Sequence, residues 1–329
     1  MEKKQDNLME ISDLTVRYNT DDAVVHAVNN FNLKLVRGEA RGLVGETGAG
    51  KTTLALSILR LLPERVGEVT GGSIVYDGQE LLNLPEAEML PLRGKRISMI
   101  FQDPMTSLNP TQTVGDQILE VLNLHFPEMT REEKNKRVDE MMTLVGIPPQ
   151  RKKSFPHEFS GRMKQRVVIA MALVAEPELL LADEPTTALD VTIQAQILEL
   201  MKQLREKFNT SVMLITHDLG VVAQFCDSVS VVYAGRVVEY GPVEIVFQRK
   251  ENHPYTAGLF NCIPNLHDDQ PRLHPIAGHM ADPRVEYKGC CFADRCEYAT
   301  ERCRTEAPSM HVCGEHGILC HRYAEKEEF

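Results

Sequence analysis

The sequence predicts an α/β fold built on a largely parallel sheet covered on both faces. Three observations lead there. Apolar stretches of strand type alternate with segments of helical periodicity. One strand-type stretch runs into Gly45-Glu46-Thr47-Gly48-Ala49-Gly50-Lys51-Thr52, which matches the spacing G-x-x-x-x-G-K-[ST] and opens a helix-length segment. Gln102, Asp183, Glu184 and His217 all fall at the C-terminal ends of strand-type stretches, where open α/β sheets bind ligands.

Residues 8–36 read as β, with Leu14, Val16 and Tyr18 alternating, then Phe31, Leu33 and Leu35, and Arg37-Gly38 as a turn. Tyr18 closes its strand, where a ring can stack on a nucleobase or simply pack. Ala40 to Val44 is the strand that enters the glycine loop. Gly45, Gly48 and Gly50 let the backbone turn tightly, so that successive N–H groups face one concavity, and the following helix adds its positive dipole end. Lys51 is placed to reach the β- and γ-phosphates of a nucleoside triphosphate, and the Thr52 hydroxyl to ligate Mg²⁺. The nucleotide-binding set runs from Gly45 through Thr53. Leu54, Leu56, Ile58, Leu59, Leu61 and Leu62 predict a helix that lasts until Pro63.

Further on, Ser73 to Tyr76 reads as a strand closed by Asp77-Gly78, and Ile97 to Ile100 as a buried strand followed by Gln102. Residues 113–146 turn helical: Thr130 and Glu133 form a capping-box pattern and Gly146 suits a C-cap. This polar insert, about 103–175 with the apolar helix from Phe159 to Ala175, predicts a helical subdomain. Glu178 to Ala182 is an apolar strand ending in Asp183-Glu184. Ile193, Ile197, Leu200, Leu204 and Phe208 put one apolar stripe on the next helix. Ser211 to Thr216 is another strand, and Val229 to Val238 a hairpin around Ala234-Gly235-Arg236.

With 329 residues the chain can bury a full core in two or three domains or subdomains. Its 43% hydrophobic and 25% charged residues are ordinary for a globular protein, and no apolar run approaches the roughly 18–20 residues of a membrane-spanning helix. The polar start Met1-Glu-Lys-Lys-Gln-Asp is not a signal peptide. A net charge of −11 argues against nucleic acid as the main partner. Of eight cysteines, six crowd into Cys290 to Cys320.

In the chemistry of a phosphate loop, Asp183 is placed to hold Mg²⁺ through water and Glu184 to orient or deprotonate the attacking water. His217 can hydrogen-bond the γ-phosphate; taken alone it is as well an ordinary strand-end histidine. The order of phosphate loop, Gln102, Ser160-Gly161, Asp183-Glu184, Ala188-Leu189-Asp190 and His217 resembles ABC-type ATPase subunits. Phe101 to Pro110, Ala182 to Gln196 and His253-Pro-Tyr-Thr256 are similar to the dipeptide/oligopeptide (and nickel) importer branch. The resemblance implies a P-loop NTPase of ABC type with an antiparallel β subdomain and a helical subdomain over 1–250. A small cysteine-rich C-terminal domain over 251–329 follows. It implies that Tyr18 stacks on adenine and that Gln102 senses Mg²⁺ and water and couples to transmembrane subunits. Ser160 and Gly161 would bind the γ-phosphate of ATP held by the opposite subunit, Asp190 would communicate across the dimer, and His217 would contact the γ-phosphate.

One departure stands out: the family signature Ser-Gly-Gly here reads Ser160-Gly161-Arg162. A glycine lets the backbone approach phosphate and adopt conformations other residues avoid, so Arg162 is expected to make the ATP site it completes work poorly or asymmetrically. In the tail, thiols suit zinc or an iron–sulfur cluster better than disulfides in a chain with no export signal. The branch pattern Gly-Cys-x-Phe-x-x-x-Cys, a third Cys seven residues on and a late Cys-His implies a [4Fe–4S] cluster on Cys290, Cys296, Cys303 and Cys320. Cys291 and Cys313 are surplus to it. One phosphate loop and one signature per chain imply head-to-tail pairing with a homologous second ATPase subunit. The other implied partners are two transmembrane permease subunits and an extracytoplasmic substrate-binding protein, with this chain at the cytoplasmic face of a prokaryotic membrane. Rival readings are a nickel- or metal-chelate importer ATPase, a soluble ABC ATPase, and a metal-sensing module with a regulatory nucleotide site.

Overall fold

A computed structural model describes residues 6–103, 106–187, 190–248, 250–262, 275–324 and 326. Pro104, Met105, Ala188 and Leu189, which carry parts of two sequence motifs, lie outside the described residues.

The first stretch of chain forms β1 (Asn7–Asn19), β2 (Val24–Val36), β3 (Ala40–Val44), α1 (Lys51–Ile58) and β4 (Gly67–Tyr76). Helix α1 is shorter than its leucines predict. Arg60 takes a φ of 52°, and the Arg60 and Leu61 N–H groups donate back to Ser57 O and Leu56 O. This Schellman closure ends the helix and turns Leu61 and Leu62 out of it. Strand β4 begins six residues before the predicted Ser73, because Gly67, Glu68, Val69 and Gly71 pair with β1 (Tyr18 opposite Gly67) although this stretch lacks apolar alternation.

The middle stretch forms β5 (Ile97–Ile100), α2 (Val114–His125), α3 (Arg131–Leu144), α4 (Gly161–Leu173), β6 (Leu179–Asp183), α5 (Val191–Phe208) and β7 (Ser211–Thr216). The capping box is present at α3: Thr130 N–H donates to Glu133 Oε2 at 2.7 Å and Glu133 N–H to Thr130 Oγ1 at 3.3 Å. Gly146 follows that helix with φ 74°. The last stretch forms α6 (Leu219–Phe225), β8 (Ser228–Tyr233), β9 (Arg236–Pro242), α7 (Pro254–Asn261), β10 (Met310–Cys313) and β11 (His316–Leu319).

The chain divides into two compact units. One contains Val36–Ala40 and Asn83–Ile215, the other Asn7–Leu35, Arg41–Leu82 and the chain from Thr216 onward. In the first, β5, β6 and β7 are parallel neighbours, with Ile97 opposite Leu179 and Leu179 opposite Ser211. Their residues are almost all buried, and α4 supplies Val167, Ile169 and Ala170 to the core. Arg37 and Arg96 both grip Glu178, Arg96 Nε at 2.7 Å, and hold its pKa down.

In the second unit one sheet runs β2-β1-β4 and ends on Gln79–Glu80. Separately, β3 pairs in parallel with β8, β8 antiparallel with β9, β9 with β11, and β11 with β10. The strand set is therefore mixed rather than largely parallel. Ala234-Gly235, both at positive φ (48° and 73°), and the short turn at Gly314 are connections that can join only antiparallel neighbours. The cysteine tail thus contributes a hairpin that pairs with β9. Among the described residues no helix is long and apolar enough to cross a membrane.

Candidate nucleotide site

The phosphate loop follows β3 and owes its shape to two glycines. A Cβ on Gly45 would stand 2.2 Å from Val232 O, and one on Gly50, at φ 94°, would stand 2.1 Å from Ala27 O. No other residue fits either place. Within the loop, Lys51 is 6% exposed and its Nζ donates to Gly45 O at 2.7 Å and Glu46 O at 2.9 Å. The ammonium is thus held at the mouth of the loop by carbonyl dipoles that phosphate oxygens can replace. Helix α1 has neither a side-chain cap nor an acidic residue in its first turn, so its positive end is uncompensated from within the helix. Thr47, Gly48 and Thr52 are exposed, Ala49 is buried, and Thr53 Oγ1 accepts from the Tyr18 hydroxyl at 3.2 Å. That bond fixes the strand-end ring to the loop helix. His217, exposed just after β7, belongs to the same compact unit as the loop.

Gln102, Ser160, Gly161, Asp183, Glu184 and Asp190 belong to the other unit. Asp183 ends β6 and is 1% exposed. Glu184 keeps the ladder, its N–H donating to Ile215 O at 2.9 Å, while its φ of 47° turns the chain out of the strand. Its Oε2 accepts from Gln102 Nε2 at 3.3 Å and from Thr187 Oγ1 at 2.9 Å. Gln165 of α4 donates to Pro185 O, tying the signature helix to this turn. The structure therefore assembles Gln102, Glu184 and Thr187 around one carboxylate. Thr187 and Gln165 are not singled out by the sequence; the signal for Thr187 lies only in the Pro185-Thr-Thr stretch of the motif, and that for Gln165 in the polar start of the helix after Ser160.

Ser160 stands at the N-cap of α4 without a side-chain cap bond, and the first turn carries no acid. Orphan N–H groups of this kind favour an anion. Arg162 is exposed in that first turn and is absent from the residues of positive φ. The backbone geometry expected to demand glycine at 162 is accordingly not present; what remains of the departure is the bulk and charge of the side chain. Asp190 caps α5, its carboxylate accepting from Ile193 N–H at 3.0 Å.

The tail gathers its thiols from separate stretches. Cys290 N–H donates to Cys303 O at 2.7 Å, and a Cβ on Gly289 would lie 2.4 Å from that same oxygen. Burial, then the neighbouring thiols of Cys291, Cys320 and Cys303, push the Cys290 thiol up to about 12. Burial also raises Cys296 and Cys320, and Cys303 acts on both. All eight cysteines are free. Among the described residues no group of three or more His, Cys, Asp or Glu side chains is arranged to hold a metal ion. Cys291, surplus to the ligand pattern, is buried with its Sγ 4.0 Å from Tyr233 O.

His253-Pro-Tyr-Thr256 acquires a structural meaning. His253 caps α7, its Nδ1 accepting from Tyr255 N–H at 3.1 Å, and Pro254 starts the helix. The fully buried Glu239 accepts from Asn252, His253 N–H and His316, each within 2.8 Å.

Fold and loop together define an ATP-binding cassette, and the comparisons agree. Residues 28–187 match the ABC transporter family, and residues 238–303 match the family described as oligopeptide/dipeptide transporter, C-terminal region. The dimeric ATP-binding cassette MJ0796, in a post-hydrolysis state bound to ADP and Pi, is similar at a TM-score of 0.64 and 28% identity. The match covers 71% of this chain and 98% of that one. A subunit of the cbiONQ ABC transporter complex of Clostridium perfringens matches at 0.64 and 31%, over 75% and 92%. Two proteins each named oligopeptide transport ATP-binding protein OppD are close over their lengths. That of Haemophilus influenzae is 47% identical over 98% of both chains, and that of Bacillus subtilis 48% over 98% and 91%. The chain belongs to the ABC transporter family of ATPases, in the branch that carries the oligopeptide/dipeptide transporter C-terminal region.

Proposed function

We propose that this ATPase is the motor subunit of an importer for di- and oligopeptides, converting ATP binding and hydrolysis into uptake. The observation that carries the reading is the phosphate loop with Lys51 seated in it, in a chain whose C-terminal region and full length match peptide-transport ATPases. On binding ATP, Lys51 leaves the Gly45 and Glu46 carbonyls for the β- and γ-phosphates, while loop amides from Thr47 to Thr53 take the remaining oxygens. Tyr18 stacks on adenine. Glu184, held by Gln102 and Thr187, orients the attacking water and accepts its proton, and His217 donates to the γ-phosphate. Thr52 through its hydroxyl, Gln102 through its amide oxygen and Asp183 through its carboxylate offer the oxygen donors a hard cation takes, and Mg²⁺ would neutralise charge on the phosphates. Ser160 and Gly161, at the open end of α4, serve ATP held by a homologous second subunit, and Asp190 relays between the two.

The partners in this reading are that second ATPase, two transmembrane permease subunits and an extracytoplasmic substrate-binding protein, with the chain on the cytoplasmic face of a prokaryotic membrane. The acidic balance supports no role for nucleic acid. In the assembled transporter, Glu184→Gln is expected to keep ATP binding and lower phosphate release roughly 100-fold or more. Equal turnover in the variant would refute the role of Glu184. Arg162→Gly tests the signature departure in the same assay: a several-fold rise is expected, and no change removes the asymmetry.

The tail is read as a [4Fe–4S] site on Cys290, Cys296, Cys303 and Cys320, with zinc as the alternative. What supports this is the cysteine spacing in a chain whose C-terminal region matches the oligopeptide/dipeptide transporter family; among the described residues these side chains form no ready-made metal-binding group. Its role is structural. Visible absorbance together with iron, sulfide and zinc analysis of anaerobically purified protein decides between cluster, zinc and no metal.

A further inference from the structure

Glu46, second residue of the phosphate loop, commits both its N–H and its carboxylate to residues far along the chain. Its N–H donates to the Tyr255 hydroxyl at 2.9 Å, from a residue 209 positions further along the chain. Its carboxylate is gripped in fork fashion by Arg295, 249 positions further along: Nη1 to Oε2 at 2.7 Å and Nη2 to Oε1 at 3.1 Å. The Arg295 side chain is 5% exposed against 27% for Glu46, so the pair is shielded on the arginine side. Arg295 is itself fixed, donating from Nε to Ala277 O at 3.1 Å and lying 5.8 Å from the Tyr233 ring centre and 5.9 Å from that of Phe292. Tyr255 is fully buried between those same rings, at 4.7 Å from Tyr233 and 5.5 Å from Phe292.

Two consequences follow from elementary electrostatics. A carboxylate at this place in a triphosphate-binding loop repels the ligand unless a cation neutralises it, and Arg295 is the cation supplied. The Gly45–Glu46 peptide, with its N–H committed to Tyr255, presents its carbonyl, Gly45 O, to the other side, where it holds Lys51 at 2.7 Å. We infer that Arg295 and Tyr255, both from the C-terminal region, are positioning residues of the nucleotide site: they set the conformation and the charge of the phosphate loop through Glu46. The C-terminal region then acts on ATP affinity directly, in addition to any role in assembly or metal binding. The inference rests on the reading of Gly45 to Thr53 as the ATP loop.

The test is titration of Mg·ATP into the full chain and its variants, with melting temperature recorded alongside. Arg295→Ala is expected to weaken ATP binding about tenfold, in the range usual for coupled sites. Glu46→Gln placed in that background removes the unopposed carboxylate and is expected to restore affinity to within about threefold of wild type. Loss of one more interaction in a purely structural pair would instead leave binding as weak or weaker. Arg295→Lys, which keeps the charge and loses the fork, falls between wild type and Arg295→Ala. Where Arg295→Ala does not fold, Tyr255→Phe and Arg295→Lys carry the test, each expected to weaken binding a few-fold. Unchanged ATP affinity in these variants, or no recovery in the double variant, overturns the inference while leaving the loop reading intact. Absence of ATP binding in the wild-type chain overturns the loop reading itself, and the inference with it.

Discussion

Gly45–Thr53 is announced by neighbours in sequence and then pinned from far along the chain by Tyr255 and Arg295, whereas the Cys290–Cys320 tail takes its form only from partners gathered over the whole compact unit. In the loop, the strand before, the helix after and the glycines between leave little freedom, and Lys51 already bonds the carbonyls five and six residues before it. In the tail, Cys290 meets Cys303 through a backbone bond, β11 joins β9 some eighty residues back, and Arg295 reaches the loop. A site made of long-range contacts needs the rest of the fold, and among the described residues the tail's thiols do not stand in a ligand array.

The difference is sharpest at the glycines. Gly48 and Gly50 share a positive φ, 83° and 94°, yet a Cβ on Gly48 meets nothing within 4 Å while one on Gly50 meets backbone oxygen at 2.1 Å. Gly50→Ala is expected to unfold the loop or cost about 3 kcal/mol or more, against about 1–2 kcal/mol for Gly48→Ala. Denaturant melts of the two variants measure it, and equal costs would show that local strain alone shapes the loop.

For the tail, the largest effect belongs to the four ligand candidates. Cys296→Ser is expected to remove most bound metal and Cys313→Ser to leave it in place, by iron and zinc analysis of the purified variants. Equal metal content in both would detach Cys296 from the site.

A smaller, pH-dependent effect belongs to His253. Burial holds its pKa down to about 3, so it stays neutral in the fold while the unfolded chain protonates it near its ordinary value of about 6.5. Between these values the unfolded state binds the extra proton, so this residue's contribution to stability falls as pH falls from about 6.5 towards 3. At its steepest the slope is about 1.4 kcal/mol per pH unit. Melts of wild type and His253→Asn, which keeps a capping side chain, are expected to diverge below pH 6; parallel curves would contradict a neutral buried His253.

What the sequence disclosed follows the same division. The loop, the Asp183-Glu184 strand end, the Thr130–Glu133 capping box and the Ala234-Gly235 hairpin are local patterns, and spacing alone carries them. The antiparallel edge, the early part of β4 and the end of α1 at a left-handed Arg60 depend on pairing or closure that no periodicity records. Thr187 was hidden within a motif whose carboxylates drew attention, and Gln165 within the signature helix, where Ser160 and Gly161 did. Tyr255 was visible only as part of a family mark, and Arg295 not at all, since its partner is 249 residues away and neither residue is unusual by itself.

The central claim is that Gly45 to Thr53 hold a triphosphate with Lys51 as its cation. Calorimetric titration of Mg·ATP into the wild-type chain and Lys51→Ala tests it most directly. Saturable binding in the wild type that weakens roughly 100-fold or more in the variant is the result expected. The same affinity in both proteins, or none in either, would contradict it.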